Sequence, residues 1–273
     1  MNDMVLSWYS NLQSLVRENF ENALKLKEPE HFHKYRTGIK RLRFFRTFLE
    51  KSGHERPPLF NSAVIKKIYR LAGDIREIHV EIDRFTADSP PPHPVWEEYV
   101  NFLNQLLDLR TRRFIKGCSS VDHSSLLISP EELRGWMSTE SFPDFDAVAE
   151  SFISRKRERI TSLFTPPVTH KKIHTIRRHF KQLSYLAELA QPEGQELYHL
   201  PFAANEVVAV EQAVGKWHDH ITAGYLLGRF AGKHRTEAID EFGSYRSGLR
   251  SIQNSLKKEI TGKMIPAWLN QNK

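Results

Sequence analysis

The chain contains a single cysteine, Cys118, among its 273 residues. One cysteine cannot form an internal disulfide, which favours a reducing compartment. The chain also lacks any run of about 18 apolar residues, which a transmembrane helix needs, and it has no basic N-terminal stretch followed by an apolar one. These absences predict a cytoplasmic protein that does not span a membrane. Its length is sufficient to bury a core without disulfides.

The sequence also lacks the alternation of polar and apolar residues that half-buried strands show. It instead predicts helices nearly throughout, and therefore an all-α protein. The predicted long helices cover about residues 3–26, 29–51, 57–86, 95–116, 144–164, 168–190, 196–230 and 236–260. Ser129, Pro130 and Glu132 predict the cap and first turn of a short helix. Four long helices in each half, with short to moderate connections, predict two four-helix bundles.

Acidic residues are missing from two stretches of the chain. Residues 31–49 contain six Lys or Arg and residues 168–187 contain five, and neither stretch contains Asp or Glu. Like charges on a helix repel one another, so a stretch of one sign has a cost in stability. The whole chain has a net charge of +7. We therefore expect an anionic partner that offsets this repulsion.

The first acid-free stretch places its cations along one side of a helix. On a helical wheel, Arg36, Lys40 and Arg43 lie within about 80° of His33. This basic stripe flanks the core-facing stripe instead of lying opposite it. We therefore expect its side chains to line a groove between helices. In the second stretch, His174, Arg177 and Lys181 have the same spacing and therefore the same positions on the helical wheel.

A second motif follows each basic stretch at nearly the same distance. It reads Gly73-x-x-Arg76-Glu77 in the first half and Gly215-x-x-His218-Asp219 in the second. The two histidines that begin the basic motifs are 141 residues apart, and the two glycines are 142 residues apart. This spacing indicates an internal duplication, with halves of about 1–127 and 128–273 in a single domain that spans 1–273.

At these motifs the chain resembles the CHAD family, the conserved-histidine α-helical domain. The family signature reads H-x-x-R-x-x-x-[RK]-R-L-R in each half, followed by the glycine motif. The first copy matches completely through Arg43, whereas the second departs from the signature at Gln182 and Ser184. The resemblance covers essentially the whole chain. It implies two four-helix bundles, related by an approximate two-fold axis, around a central basic groove.

The resemblance also implies a function, which is the binding of inorganic polyphosphate without catalysis or a cofactor, in association with polyphosphate granules. Arginine forks and lysine ammonium groups suit phosphate oxygens. The departures at Gln182 and Ser184 predict a groove that binds more strongly through the first half. The candidate polyphosphate contacts are His33, Arg36, Lys40, Arg41, Arg43, Arg70, Arg76, His174, Arg177, Arg178, Lys181 and His218.

Two other function classes stay open at this point. His218 and Asp219 form an adjacent pair of the kind found in helical metal-dependent phosphohydrolases, and His170 and His174 have a spacing that can hold a metal. However, the duplicate of His218 is Arg76, which cannot ligate a metal. Nucleic-acid binding is the third class, because aromatic residues accompany the basic ones. Non-specific nucleic-acid binding at low salt is expected in any case.

Overall fold

A computed structural model describes residues 2–26, 28–50, 59–60, 62–88, 90, 92–121, 126–139, 145–191, 198–232 and 239–271. Its helices are α1 (Asn2–Leu24), α2 (Pro29–Glu50), α3 (Ser62–Asp88), α4 (Pro94–Cys118), α5 (Pro130–Thr139), α6 (Phe145–Leu163), α7 (His170–Ala190), α8 (Ala204–Ala231), α9 (Ile239–Glu259) and α10 (Ile265–Gln271). The described residues include no strand, so the all-α prediction is confirmed. None of their helices combines the length and the apolar character needed to cross a membrane.

Two predicted helices begin too early. Residues 59 and 60 lie before α3, because Phe60 forms an isolated antiparallel bridge with Leu127. The predicted start at 57 and 58 lies outside the described residues. Residues 198–203 are likewise not helical, and α8 begins at Ala204. Pro201 accounts for part of this difference, because a proline disfavours helical geometry at the residue before it.

The last predicted long helix ends at residue 260, within one residue of the end of α9, but the chain continues in helical form beyond it. A π-helical turn over Ile260–Met264 joins α9 to α10, so the chain stays helical to residue 271. Burial explains this continuation, because Trp268 is 2% exposed and packs against Phe180 with ring centroids 4.9 Å apart.

The short helix predicted after residue 129 is confirmed. Its cap is reciprocal, since the Ser129 hydroxyl accepts from the Glu132 N–H and the Glu132 carboxylate accepts from the Ser129 N–H.

The long helices of the two halves pack in the same order. In the first half, α1 packs on α2, α2 on α3, and α3 on α4. In the second half, α6 packs on α7, α7 on α8, and α8 on α9. The division into two bundles and the two-fold relation between the halves stay predictions.

Two apolar cores hold the halves together. In the larger core, the ring of Phe44 on α2 lies 5.7 Å from that of Phe152 on α6 and 6.0 Å from that of Tyr185 on α7. In the second core, the ring of Tyr99 on α4 lies 5.2 Å from that of Phe230 on α8. Aromatic rings bury large apolar areas, so both contacts resist separation of the halves. The halves therefore form one packed unit, which fixes the relative positions of the helices between the two cores.

A buried carboxylate stiffens α3 next to the second core. Glu81 is 2% exposed and accepts hydrogen bonds from the Tyr99 hydroxyl at 2.8 Å and from Nη2 of Arg84 at 2.6 Å. A buried charge persists only when such partners satisfy it. The network ties α3 to α4, and α3 also packs against α8 of the other half.

Candidate functional site

A cleft lies where α2 and α3 of the first half meet α7 and α8 of the second. It has a volume of about 210 Å³. Two helices from each half line it, as expected for a groove between the halves. Seven of the twelve predicted contact residues contribute to its lining, namely His33, Arg36, Lys40, Arg76, Arg177, Lys181 and His218.

Tyr69 on α3 positions two arginines of α2. Nη1 of Arg36 donates a hydrogen bond to the Tyr69 carbonyl oxygen at 2.7 Å, and its Cζ lies 4.2 Å from the centroid of the Tyr69 ring. Cζ of Arg43 lies 4.4 Å from the same centroid. The carbonyl and the ring are uncharged, so both guanidinium groups keep their full charge while their positions are fixed. Sequence reasoning missed Tyr69, because a tyrosine beside apolar residues has the appearance of a core residue.

The motif glycines lie directly beneath the motif arginines. A Cβ atom on Gly73 would overlap Nη1 of Arg36 and lie 2.9 Å from its Cζ. A Cβ atom on Gly215 would lie 3.6 Å from Nη2 of Arg177, an ordinary contact distance. The glycine of α3 thus provides the space that the arginine of α2 needs. This close approach gives a physical reason for the pairing of the two motifs.

The second half holds its arginine with a carboxylate. Oε1 of Glu211 lies 3.6 Å from Nη2 of Arg177 and 2.5 Å from Nζ of Lys181. Glu211 precedes Gly215 by four residues, and Tyr69 precedes Gly73 by four residues, so the two occupy corresponding places. The Glu211 carboxylate therefore offsets part of the positive charge of the second half, whereas the uncharged Tyr69 leaves the charge of Arg36 intact in the first half. The sequence motifs do not include Tyr69 or Glu211, so their comparison missed this difference between the halves.

Lys40 is half-buried among cations from both halves. Burial, and then the charges of Lys181, Arg36 and Arg177, together lower its pKa to about 7, while Glu211 acts against them. An ammonium group surrounded in this way is poorly stabilised in its charged form. Such a perturbed group in a cleft indicates a functional site, and a bound anion would relieve the repulsion.

His33 of the cleft and His174, which lies outside the cleft lining, are held in the neutral form. Burial, and secondarily the charge of Arg76, lowers the pKa of His33. Burial also lowers the pKa of His174, whose ring centroid lies 5.3 Å from that of His218. Both imidazoles are therefore mostly neutral at pH 7, where they can donate and accept hydrogen bonds without adding charge.

The acidic residues that line the cleft have partners of their own. Glu81 is bonded within the buried network, Oε2 of Glu77 lies 3.6 Å from Nη1 of Arg110, and Oδ1 of Asp219 lies 4.0 Å from Nδ1 of His218. The first half contributes three Lys or Arg side chains to the cleft lining: Arg36, Lys40 and Arg76. Over the part of the chain that the structure describes, no carboxylate forms an ion pair with any of them. The first half therefore presents three cations without an acidic partner.

A family model of the CHAD domain matches residues 10–228 of the chain. This chain belongs to the CHAD family. Its fold is similar to the crystal structure of the CHAD domain from the plant Ricinus communis, with a TM-score of 0.70. The two chains are 16% identical, and the similarity covers 99% of this chain and 91% of the other. No curated protein matches the chain.

Five predicted contacts of this CHAD domain do not line the cleft. Nε of Arg41 lies 2.5 Å from Oε2 of Glu188 on α7, so this arginine joins the halves. It follows Lys40 directly, and a rotation of about 100° along the helix turns it away from the cleft. Arg70 is exposed on α3 outside the cleft. The other three are Arg43, which stacks on Tyr69, and the exposed residues His174 and Arg178.

The histidines considered as metal ligands have different surroundings in the CHAD domain. The ring of His170 packs against Trp217 with centroids 5.2 Å apart, whereas that of His174 lies near His218. Nδ1 of His220 lies 2.8 Å from the Lys216 carbonyl oxygen of its own helix. Within the described ranges, no three His, Cys, Asp or Glu side chains form a cluster that could hold a metal ion.

The two motif glycines offer a matched test of how the cleft positions its arginines. Gly73→Ala should displace the guanidinium of Arg36 and weaken binding of the anionic probe tripolyphosphate by at least about tenfold, because a charge-assisted hydrogen bond of about 1.5–3 kcal/mol is lost. Gly215→Ala introduces only an ordinary contact and should leave affinity within about twofold. Calorimetric titration of both variants checks this, with the melting temperature as the folding control. Equal affinities for the two variants would show that the glycine does not position Arg36.

Proposed function

We propose that this CHAD domain binds inorganic polyphosphate in the cleft between its halves and does not transform it. The observation that carries the proposal is the convergence on one concave surface of cations from three helices: Arg36, Lys40, Arg76, Arg177 and Lys181. Burial, and then the charges of Lys181, Arg36 and Arg177, lower the pKa of Lys40, and a bound polyanion would oppose that effect. The helices fix the cations in advance, so little conformational entropy is lost on binding.

A linear chain of phosphates suits this geometry better than a single phosphate. Arg36 and Lys40 lie about one turn apart on α2, and Arg177 and Lys181 lie about one turn apart on α7. Cations in two facing rows can each contact a different phosphate group of one chain. The cleft volume is about 210 Å³, so the cleft holds a short segment and a longer chain must continue outside.

The positions of the aromatic residues favour polyphosphate over single-stranded nucleic acid. Base recognition in such sites depends on exposed rings on which bases stack. The rings near the basic residues are inside the protein instead, with exposures of 1% for Phe44, 0% for Phe45 and 4% for Tyr185. Two guanidinium groups already contact the Tyr69 ring. Nucleic acid would then bind through its phosphates alone, weakly and at low salt.

The proposal extends to the mode of action and to location. The place of His218 in the first half is taken by Arg76, a residue suited to phosphate binding and not to metal ligation. We therefore treat His218 and Asp219 as a contact pair in a binding site. A protein that binds polyphosphate without degrading it would collect on cytoplasmic polyphosphate granules. Release of orthophosphate from polyphosphate by the purified domain would contradict the non-catalytic part.

Charge reversal in the cleft tests the proposal directly. Arg36→Glu combined with Lys40→Glu should lower polyphosphate affinity at least about a hundredfold, because two attractive contacts become repulsive. Affinity is measured at several salt concentrations, since displacement of counterions predicts a steep loss of wild-type binding as salt rises. Circular dichroism reports whether the helices are retained.

Arg246→Glu combined with Arg250→Glu is the matched control, because both arginines are exposed on α9 and the net charge changes by the same amount. This control should retain most of the wild-type affinity. If the cleft variant binds as tightly as the control, polyphosphate binds elsewhere and the proposed site is wrong.

Removal of the acid in the second half should strengthen binding. Glu211→Gln frees Arg177 and Lys181 from their carboxylate, so affinity for polyphosphate should rise by about three- to tenfold at low salt, equivalent to roughly 1 kcal/mol. Glu188→Gln is the matched control, because Glu188 pairs with Arg41 away from the cleft. A gain for Glu188→Gln equal to that for Glu211→Gln would indicate a general effect of net charge.

A further inference from the structure

A second group of cations lies on the outer side of α6 and α7. Residues 154–187 contain nine Lys or Arg and one acid, Glu158. Lys156 and Arg159 are three residues apart and so lie on the same side of α6, which packs against α7. Only Arg177 and Lys181 of these nine cations line the cleft. The charge of this helix pair therefore extends well beyond the site described above.

Three of the outer cations gather around His179 of α7. Burial, and then the charges of Lys156, Arg178 and Arg159, together lower the pKa of His179 to about 4. The imidazole is therefore neutral and does not compensate them. Nζ of Lys156 lies 4.5 Å from the centroid of the Phe152 ring, which helps to fix its position. Among the described residues, no carboxylate forms an ion pair with Arg159 or Arg178.

Arg178 connects this group to the cleft. It follows the cleft residue Arg177 and lies one turn after His174 on α7. The ring of His174 in turn lies 5.3 Å from that of His218, which lines the cleft. Arg178 lies four residues after His174 and directly before His179, and its charge lowers the pKa of both histidines. Basic residues therefore follow one another along α7 from the cleft rim towards α6.

We infer that Lys156, Arg159 and Arg178 form an outer track that binds the part of a polyphosphate chain extending beyond the cleft. This inference rests on the proposed function. Arg159 and Arg178 are exposed, so the surface suits a long polyanion that contacts several cations in turn and not a single enclosed phosphate. The rings of Phe152, Phe180 and Tyr185 on these helices are buried, so the track offers no stacking surface for bases.

A comparison of chain lengths tests the track. Lys156→Gln combined with Arg159→Gln should leave the affinity for tripolyphosphate unchanged, because that ligand fits in the cleft. The affinity for long-chain polyphosphate should fall about tenfold, and the slope of log affinity against log salt should become shallower by about two, one for each lost phosphate contact. Arg246→Gln combined with Arg250→Gln removes the same charge from α9 and should change neither affinity.

The outcomes separate this inference from the proposed function. Unchanged long-chain affinity in the α6 variant, or the same loss for tripolyphosphate as for the long chain, would overturn the track. A loss that affects only a single-stranded oligonucleotide would also overturn it and would indicate a nucleic-acid surface. If the wild-type domain binds neither ligand, the proposed function itself fails. If Arg36→Glu with Lys40→Glu abolishes tripolyphosphate binding while the α6 variant behaves as wild type, only the track is wrong.

Discussion

The repulsion among four cations at the junction of the halves is the interaction on which this account depends. Lys40 lies among Arg36, Arg177 and Lys181, and its low pKa reflects its burial and then the proximity of these three cations. Charges of one sign do not gather in this way without compensation from the rest of the fold. Here the compensation comes from two aromatic cores shared by the halves, since each large apolar side chain contributes about 1.5–3 kcal/mol when buried. Packing therefore maintains an electrostatic arrangement that a polyanion would stabilise.

The two halves hold corresponding arginines by different means. Tyr69 uses a carbonyl oxygen and a ring to orient Arg36 without reducing its charge, whereas Glu211 pairs with Arg177 and Lys181. The carboxylate of Glu211 therefore occupies cations that a bound anion would otherwise contact. Under the proposed function, a polyphosphate chain would compete with Glu211 in the second half and with no carboxylate in the first. Glu211 is thus a second reason to expect the asymmetry predicted from Gln182 and Ser184.

The sequence predicted the parts of the structure that depend on local periodicity. Helical spacing placed His33, Arg36 and Lys40 on one stripe, and the structure places all three on the cleft. The roles of Tyr69 and Glu211 were not predicted, because they depend on which helix packs opposite each residue. The bridge at Phe60, which precedes α3, was not predicted for the same reason. The contact of Trp268 with Phe180, which accompanies the helical continuation after residue 260, also joins segments that are distant in sequence. Arg41 was assigned because it belongs to the basic motif, although adjacent helical residues such as Lys40 and Arg41 point in different directions.

The most direct measurement of the central claim is the proton balance of polyphosphate binding at pH 8. Lys40 has a pKa of about 7 in this structure and is mostly neutral at that pH. A polyanion bound beside it favours the ammonium form and raises that pKa, so binding must take up protons. Calorimetric titration in two buffers with different ionisation enthalpies measures this uptake. The account predicts an uptake approaching about one proton per domain at pH 8, where Lys40 becomes charged on binding. Tight binding with no proton uptake at pH 8 would contradict the claim that the ligand lies beside Lys40.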